Sequence, residues 1–459
     1  MYRFIAKHIL APGLDVLRGT QAMSILSELE KSQWWGRQKI IELQEQRLKN
    51  LLQYSYEKVP YYRRVFDERR LTPGDIVHNG QLVKLPVLTR QIIRSHFDEI
   101  AARNFPQRER VKLATGGSTG EPLLFYSTWR DHKDICIASR QRASSAIGFE
   151  LGDKNASIRN VYPAESRADR FWRAPIRFFD RSLPISVADM GEESLRRLEA
   201  FQPAVITGYP SPIEQLARII QARGATSLRP RVIVTGAEQL FDHQRELFRQ
   251  VFGCDTYDFY GAVEEHLIAF ECKEHAGYHI AAENVFVEIV DAEGMPLPPG
   301  EEGRILITNL HNYAMPLIRY DIGDLGTSSD IDCPCGRGLP LLSSIGGRIL
   351  DTVSTRHKGR IPGLSLYRVF RSLAYEGVEQ CQIVQESPGR VVIKLVAGPG
   401  GQRRNIEELT EMIVREYQDI LGEDMEIAVE FVDRIATTAG GKRRFIISDL
   451  KSGTGTELS

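Results

Sequence analysis

A chain of 459 residues is too long for one ordinary hydrophobic core, so two or three domains are expected. Its 42% hydrophobic and 26% charged residues match an ordinary soluble globular protein, and six cysteines at this length exclude a disulfide scaffold. With 59 basic against 60 acidic side chains the formal charge is −1, which leaves no electrostatic case for a nucleic-acid partner.

The first residues, Met1 to Leu17, mix Lys7, His8 and Asp15 with apolar side chains and show no signal-peptide core followed by a cleavage site. No stretch reaches the roughly 18 apolar residues of a spanning helix. A cytoplasmic location is therefore the expectation, with Phe4, Ile5, Ile9 and Leu10 packed on the body of the protein rather than, as the alternative, touching a membrane surface. Residues 20 to 70 read as helix: Ile40, Leu43, Leu48, Leu51 and Leu52 recur at helical spacing, and Pro60 in V-P-Y-Y ends the run. Trp34 and Trp35 read as a packing anchor.

Val111-Lys112-Leu113 and Leu123-Leu124-Phe125-Tyr126 are strand-like and enclose T-G-G-S-T-G-E-P, Thr115 to Pro122. Its glycines suit a loop whose backbone N–H groups wrap phosphates. A Walker A loop would carry lysine after its last glycine and open a helix, whereas here Glu121 follows Gly120 and a strand comes next. A P-loop kinase or GTPase is thereby excluded, and the phosphate charge must be met by a cation from elsewhere.

From about 110 to 340, β-branched runs alternate with amphipathic helices, as in Pro203 to Thr207 before a helix from Pro212 to about Arg223. Arg231 to Thr235 likewise precedes a helix ending near Phe252. This alternation predicts a parallel sheet in an α/β core. Residues 279 to 309 change to an antiparallel, barrel-like pattern with a Pro- and Gly-rich turn from Asp291 to Gly303. Residues 378 to 432 predict strand (380–385), strand (390–396), helix (406–421) and strand (425–431), a small α+β unit after a hinge at Gly346-Gly347-Arg348. The domain expectation is a helix-rich segment over 1–109, a ligand-binding core over 110–346 and a C-terminal domain over 347–459.

Two close pairs of soft ligands, Cys272-x-x-His275 and Cys333-x-Cys335, predict a structural tetrahedral zinc site of the knuckle kind. Pro334 and Gly336 favour a tight turn around the second pair. Further motifs sit where ligands gather. Thr235-Gly236-Ala237-Glu238 follows a predicted strand at its carboxyl end, and Tyr257 to Glu264 offers a flat ring, a tight glycine and a carboxylate. Arg319-Tyr320-Asp321-Ile322-Gly323-Asp324 supplies acids suited to a sugar diol, and Thr438 to Arg444 presents Lys442 on a glycine loop.

In this order the motifs resemble the adenylate-forming superfamily over about residues 110 to 448, and more closely its phenylacetate–CoA ligase branch, with the CapK-type and coenzyme F390 synthetase-like proteins. The closer likeness rests on S-T-G-E-P, T-G-A-E, M-P-L-I-R-Y-D-I-G-D, C-P-C-G-R and V-P-Y-Y. The resemblance implies a large N-terminal adenylate-forming domain and a small mobile C-terminal one. It also implies that Thr115, Gly117, Ser118, Thr119 and Gly120 wrap the β- and γ-phosphates of ATP. Gly236, Ala237, Glu238, Tyr260 and Gly261 would form the adenine slot, and Glu264 would hold Mg²⁺. Asp324, with Arg348 beside it, would grip the ribose. Lys442 would bridge the substrate carboxylate and the α-phosphate.

The expected activity is ATP-dependent formation of an acyl or aryl adenylate from a small carboxylic acid, with transfer to coenzyme A. One alternative passes the acyl or AMP group to an amine, a hydroxyl or a carrier protein, in surface-polysaccharide or secondary metabolism. A non-catalytic, zinc-stabilised binding protein is a third, opposed by the retention of Lys442, Asp324 and Glu264. Some positions depart from the family pattern: Gly116 stands for serine in the loop, and Leu350 then Asp351 follow Arg348 at the hinge. Residues 354 to 363 are basic, and no coenzyme A pocket is recognisable. Tyr209, Pro210 and Phe259 are acyl-pocket candidates.

Overall fold

The computed structural model describes residues 2–76, 78–103, 105–114, 123–159, 181–187, 190–348, 352–357, 360–362, 366, 369, 378–397, 405–436 and 444–448. The glycine-rich loop 115–122 expected to wrap phosphates, residues 349–351 after the expected hinge Gly346-Gly347-Arg348, and Lys442 lie outside them.

The helical entry segment forms Ala22–Ser32, Arg37–Lys58 and Pro60–Glu68. Ile40, Gln44, Leu48, Leu51, Leu52 and Ser55 make the buried stripe of the long helix, at the spacing one helical face requires. Pro60 both stops and starts structure. It holds Val59 extended (φ −115°, ψ 109°) and then occupies the first turn of the next helix, where its missing N–H costs nothing. The Tyr62 hydroxyl donates to the Pro316 carbonyl (2.9 Å) and accepts from the Ile318 amide (3.0 Å), tying this segment to the core.

Two expectations for this region are revised. Phe4 and Ile9 are 65% and 60% exposed, while on the other side of this helical N-terminus Ala6 is buried and Arg3 and Lys7 pair with Asp153 and Glu30. Trp34 is not packed in the interior: it is half exposed and carries the Arg337 guanidinium 4.6 Å from its ring. Among the described residues no helix is long and apolar enough to cross a membrane.

The hairpin expected around the phosphate loop is present. Strands β1 (Arg110–Ala114) and β2 (Leu124–Thr128) pair antiparallel, with Ala114 opposite Leu124. The remaining strands of this part are β3 (Asn155–Arg159), β4 (Ser182–Ser186), β5 (Val205–Gly208), β6 (Val232–Gly236), β7 (Asp255–Tyr260), β8 (Ala269–Glu271), β9 (Tyr278–Ile280), β10 (Val285–Val290), β11 (Glu302–Asn309), β12 (Tyr320–Ser329) and β13 (Leu341–Arg348). They form one sheet of order β10-β11-β12-β13-β9-β8-β7-β6-β5-β3-β4.

Strands β3 to β7 run parallel, as alternation with helices demands, and the helices Glu192–Phe201, Pro210–Arg223 and Asp242–Phe252 cover them. Leu195, Leu198, Ile213, Leu216, Phe248 and Phe252 of those helices meet Ala156, Ile158, Ile206 and Ile233 of the strands in one buried cluster. The antiparallel stretch read as barrel-like is continuous with this sheet, β10 pairing β11 through its glycine-rich turn.

The C-terminal sheet has the order β18-β17-β16-β19, from β16 (Val378–Ser387), β17 (Arg390–Ala397), β18 (Glu426–Phe431) and β19 (Ile446–Ser448). A short separate pair, β14 (Thr352–Ser354) and β15 (Arg360–Pro362), precedes it. Helix Ile406–Leu421 is the crossover between the parallel neighbours β17 and β18. Asn405 caps it by accepting from the Glu407 amide, and Leu409, Ile413, Tyr417 and Leu421 are its buried face. The chain divides into two compact bodies, Met1–Ile322 with Gly326–Ser344, and Gly323–Leu325 with Ile345–Ser459.

Candidate active site

Parallel strands leave their carboxyl ends open for ligands, and the turns after β6 and β7 are built for close backbone approach. Gly236 ends β6 opposite Phe259 of β7, where a Cβ would stand 2.7 Å from the Phe259 carbonyl oxygen. Ala237 follows in the left-handed region (φ +64°), a conformation that costs a non-glycine residue about 1–3 kcal/mol. Glu238 then accepts a hydrogen bond from the Ser211 amide (3.1 Å), in the first turn of helix Pro210–Arg223. That amide carries the positive end of the helix dipole, so the carboxylate anchors the strained turn.

After β7, Tyr260 leads into a tighter turn. A Cβ on Gly261 would lie 2.0 Å from the His266 carbonyl oxygen, so only glycine fits, and His266 itself has φ +48°. Between them Glu264 is 4% exposed. Its Oε1 accepts from the Tyr320 hydroxyl at 3.0 Å, and Tyr320 accepts from Arg90 Nε at 3.2 Å. Oε2 takes no part in that bond and is a hard anionic donor of the kind Mg²⁺ takes from one or two carboxylates beside substrate phosphates. The residues present therefore fit magnesium.

Asn309 backs this turn, donating to the Glu264 carbonyl oxygen (3.5 Å) and to Asp131 Oδ2 (3.2 Å), which also accepts from Ser127 Oγ (3.0 Å). Burial pushes the Asp131 carboxyl up to about 6 against the pull of both hydrogen bonds. The folded protein thus keeps a proton that the unfolded chain releases from about pH 4. This group's contribution to stability is full below that pH and is lost as pH rises through 6. Asp131→Asn should therefore gain on the wild type by up to about 3 kcal/mol between pH 4 and 7, read from urea unfolding midpoints. A pH-independent difference between the two proteins would contradict this.

The structure brings Gly236, Ala237, Glu238, Tyr260, Gly261 and Glu264 to the ends of two paired strands. Asp324 lies in β12, 9% exposed, and Arg348 is the last residue of β13. Thr115, Gly117, Ser118, Thr119, Gly120 and Lys442 fall outside the described residues. Of the acyl-pocket candidates, Phe259 is buried edge-on against Phe270, and Pro210 is buried at the start of its helix. The sequence reading missed Tyr320, Arg90 and Asn309 as supports of Glu264. It also missed that Arg319 is structural: buried with φ +53°, it pairs with Glu288 and donates to the Leu85 and Gly294 carbonyls.

The soft-ligand group differs by one residue from the sequence expectation. Cys272, His279, Cys333 and Cys335 place their ligand atoms within 4.8 Å of one another. His275 is not among them. It sits in the turn after β8 with φ +49° and stacks on Tyr257, rings 4.6 Å apart.

A parallel α/β half-sheet with strained ligand turns, extended by antiparallel strands and followed by a small α+β body, is the fold of the adenylate-forming ligases. A solved structure of 2-hydroxyisobutyryl-CoA ligase in its postadenylation state matches it with TM-score 0.74, covering 91% of each chain at 20% identity. Phenylacetate–coenzyme A ligase of Thermus thermophilus is 30% identical over 334 residues, 70% of this chain and 73% of the relative. The chain belongs to the phenylacetate–coenzyme A ligase family. Protein CapK of Staphylococcus aureus is 26% identical over 422 residues, 90% of each chain, and the CapK C-terminal domain family matches residues 353–449.

Proposed function

We propose that this protein is an ATP-dependent ligase that activates a small carboxylic acid as its acyl or aryl adenylate and passes the acyl group to coenzyme A. The observation that carries this is the turn Gly261–His266, which holds a buried, oriented Glu264 beside the strained Gly236–Glu238 turn in a chain of this family.

In the first half-reaction the substrate carboxylate oxygen attacks the α-phosphorus of ATP, an O–P bond forms, and pyrophosphate leaves. Both reactants are anions, so rate depends on positive charge placed where new charge develops and on holding the two in line. In our reading Thr115, Gly117, Ser118, Thr119 and Gly120 hold the departing phosphates through backbone N–H groups. Gly236, Ala237, Glu238, Tyr260 and Gly261 would seat adenine, Asp324 and Arg348 would grip the ribose, and Lys442 would bridge carboxylate and α-phosphate. Glu264 would hold magnesium, which would supply positive charge to neutralise the phosphates. In the second half-reaction the thiol sulfur of coenzyme A bonds to the acyl carbon and AMP leaves. Carrying Lys442 on a mobile C-terminal body lets one site serve both steps. We place the reaction in the cytoplasm, where ATP and reduced thiols are supplied.

We keep a second reading, in which an amine, a hydroxyl or a carrier protein takes the acyl or AMP group, because residues 353–449 match the CapK C-terminal domain and no coenzyme A pocket is recognisable in the sequence. The acceptors separate on incubation with ATP and an activated acid. Acid-dependent loss of the coenzyme A thiol is expected, whereas adenylate formation with no thiol loss would transfer the assignment to the second reading.

A further inference from the structure

We propose that Cys272, His279, Cys333 and Cys335 form a tetrahedral zinc site that clasps the helical entry segment to the core. Zinc takes sulfur at about 2.3 Å and imidazole nitrogen at about 2.0–2.1 Å, so tetrahedral ligand atoms stand roughly 3.5–3.8 Å apart. Cys272 Sγ and Cys333 Sγ are 3.6 Å apart, and Cys335 Sγ is 3.3 Å from His279 Nε2. A disulfide would need about 2.05 Å. Cys272 and His279 are fully buried, Cys333 is 5% exposed and Cys335 is partly buried, the group being packed against Leu341, so most of the site is shielded from water.

Strand pairing explains this ligand choice. Phe270 of β8 pairs with His279 of β9, and His279 pairs in turn with Leu341 of β13. The imidazole is thus delivered from the middle of a three-strand ladder, with Cys272 just past the end of β8. Cys333 and Cys335 come from one turn closed by the Gly336 amide on the Cys333 carbonyl (3.0 Å). All four ligands being protein side chains, the site has no open position and its role is structural.

What the turn carries beyond the ligands gives the site its purpose. Two residues after Cys335, Arg337 Nε donates to Gln33 Oε1 (2.8 Å), and the Gly338 amide donates to the Gln33 carbonyl (3.0 Å). Arg337 also covers the Trp34 ring. Fixing residues 333–335 therefore fixes the contact that receives the end of helix Ala22–Ser32.

Zinc content of the full chain, purified without chelator and dialysed, tests this by elemental mass spectrometry. About one zinc per chain is expected in the wild type and in His275→Ala, with loss of about tenfold or more in His279→Ala and Cys335→Ser. His279→Cys, which restores a fourth soft ligand, should retain zinc even if the alanine variant does not fold. Removing the metal from the wild type should speed hydrogen exchange at the Gly338 amide and around Gln33. A zinc-free wild type, a Cys272–Cys333 disulfide, zinc loss in His275→Ala, or unchanged exchange at Gly338 would each overturn the proposal. None of these outcomes bears on adenylate formation, which is measured separately.

Discussion

Lys442→Ala should slow adenylate formation by about 10²–10³-fold, the usual effect of removing one positioned charge-stabilising group. The phosphate loop has Glu121 where a Walker loop has lysine, so nothing within it answers the charge on the α-phosphate. In our reading that charge is met from the C-terminal body. Supplied with preformed acyl adenylate, the variant should transfer the acyl group to thiol at a rate within a few fold of the wild type. Equal losses in both half-reactions would mean that Lys442 supports the fold or both steps, not the attack on phosphorus.

Glu264→Gln should raise the magnesium concentration needed for half-maximal activity by about 100-fold. Tyr320→Phe should raise it by about tenfold, the lower end of what removing an outer partner costs. The ranking follows from position. In the proposed site Glu264 would offer the metal an oxygen, whereas Tyr320 would only orient that carboxylate, through a 3.0 Å bond from its hydroxyl, which also accepts from Arg90. Excess magnesium should recover much of the Tyr320→Phe activity and little of the Glu264→Gln activity. A magnesium requirement unmoved in both variants would remove Glu264 from the metal.

Much of this was readable before any coordinates. The helix Ile406–Leu421 announces itself through Leu409, Ile413, Tyr417 and Leu421, and the parallel strands through alternation of β-branched runs with amphipathic helices. The glycines of T-G-A-E and Y-G mark turns because their requirement is local. What escaped was set by partners far apart in sequence. Arg319 looks like part of an acidic ligand motif, yet Glu288, Leu85 and Gly294 make it a buried tie. His275 has the knuckle spacing, but strand register carries His279 to the cysteines and turns His275 onto Tyr257. The exposure of Phe4 and Ile9 likewise does not follow from hydropathy: the face turned inward carries Ala6, with Arg3 and Lys7 paired to the distant Asp153 and Glu30.

The most direct test of the central claim is carboxylate-dependent exchange of pyrophosphate into ATP, across aryl, fatty, hydroxy and amino acids. We predict magnesium-dependent exchange with at least one acid and none without acid, falling by about 10²–10³-fold in Lys442→Ala. Exchange absent with every acid, or present and undiminished in Lys442→Ala, would contradict the account.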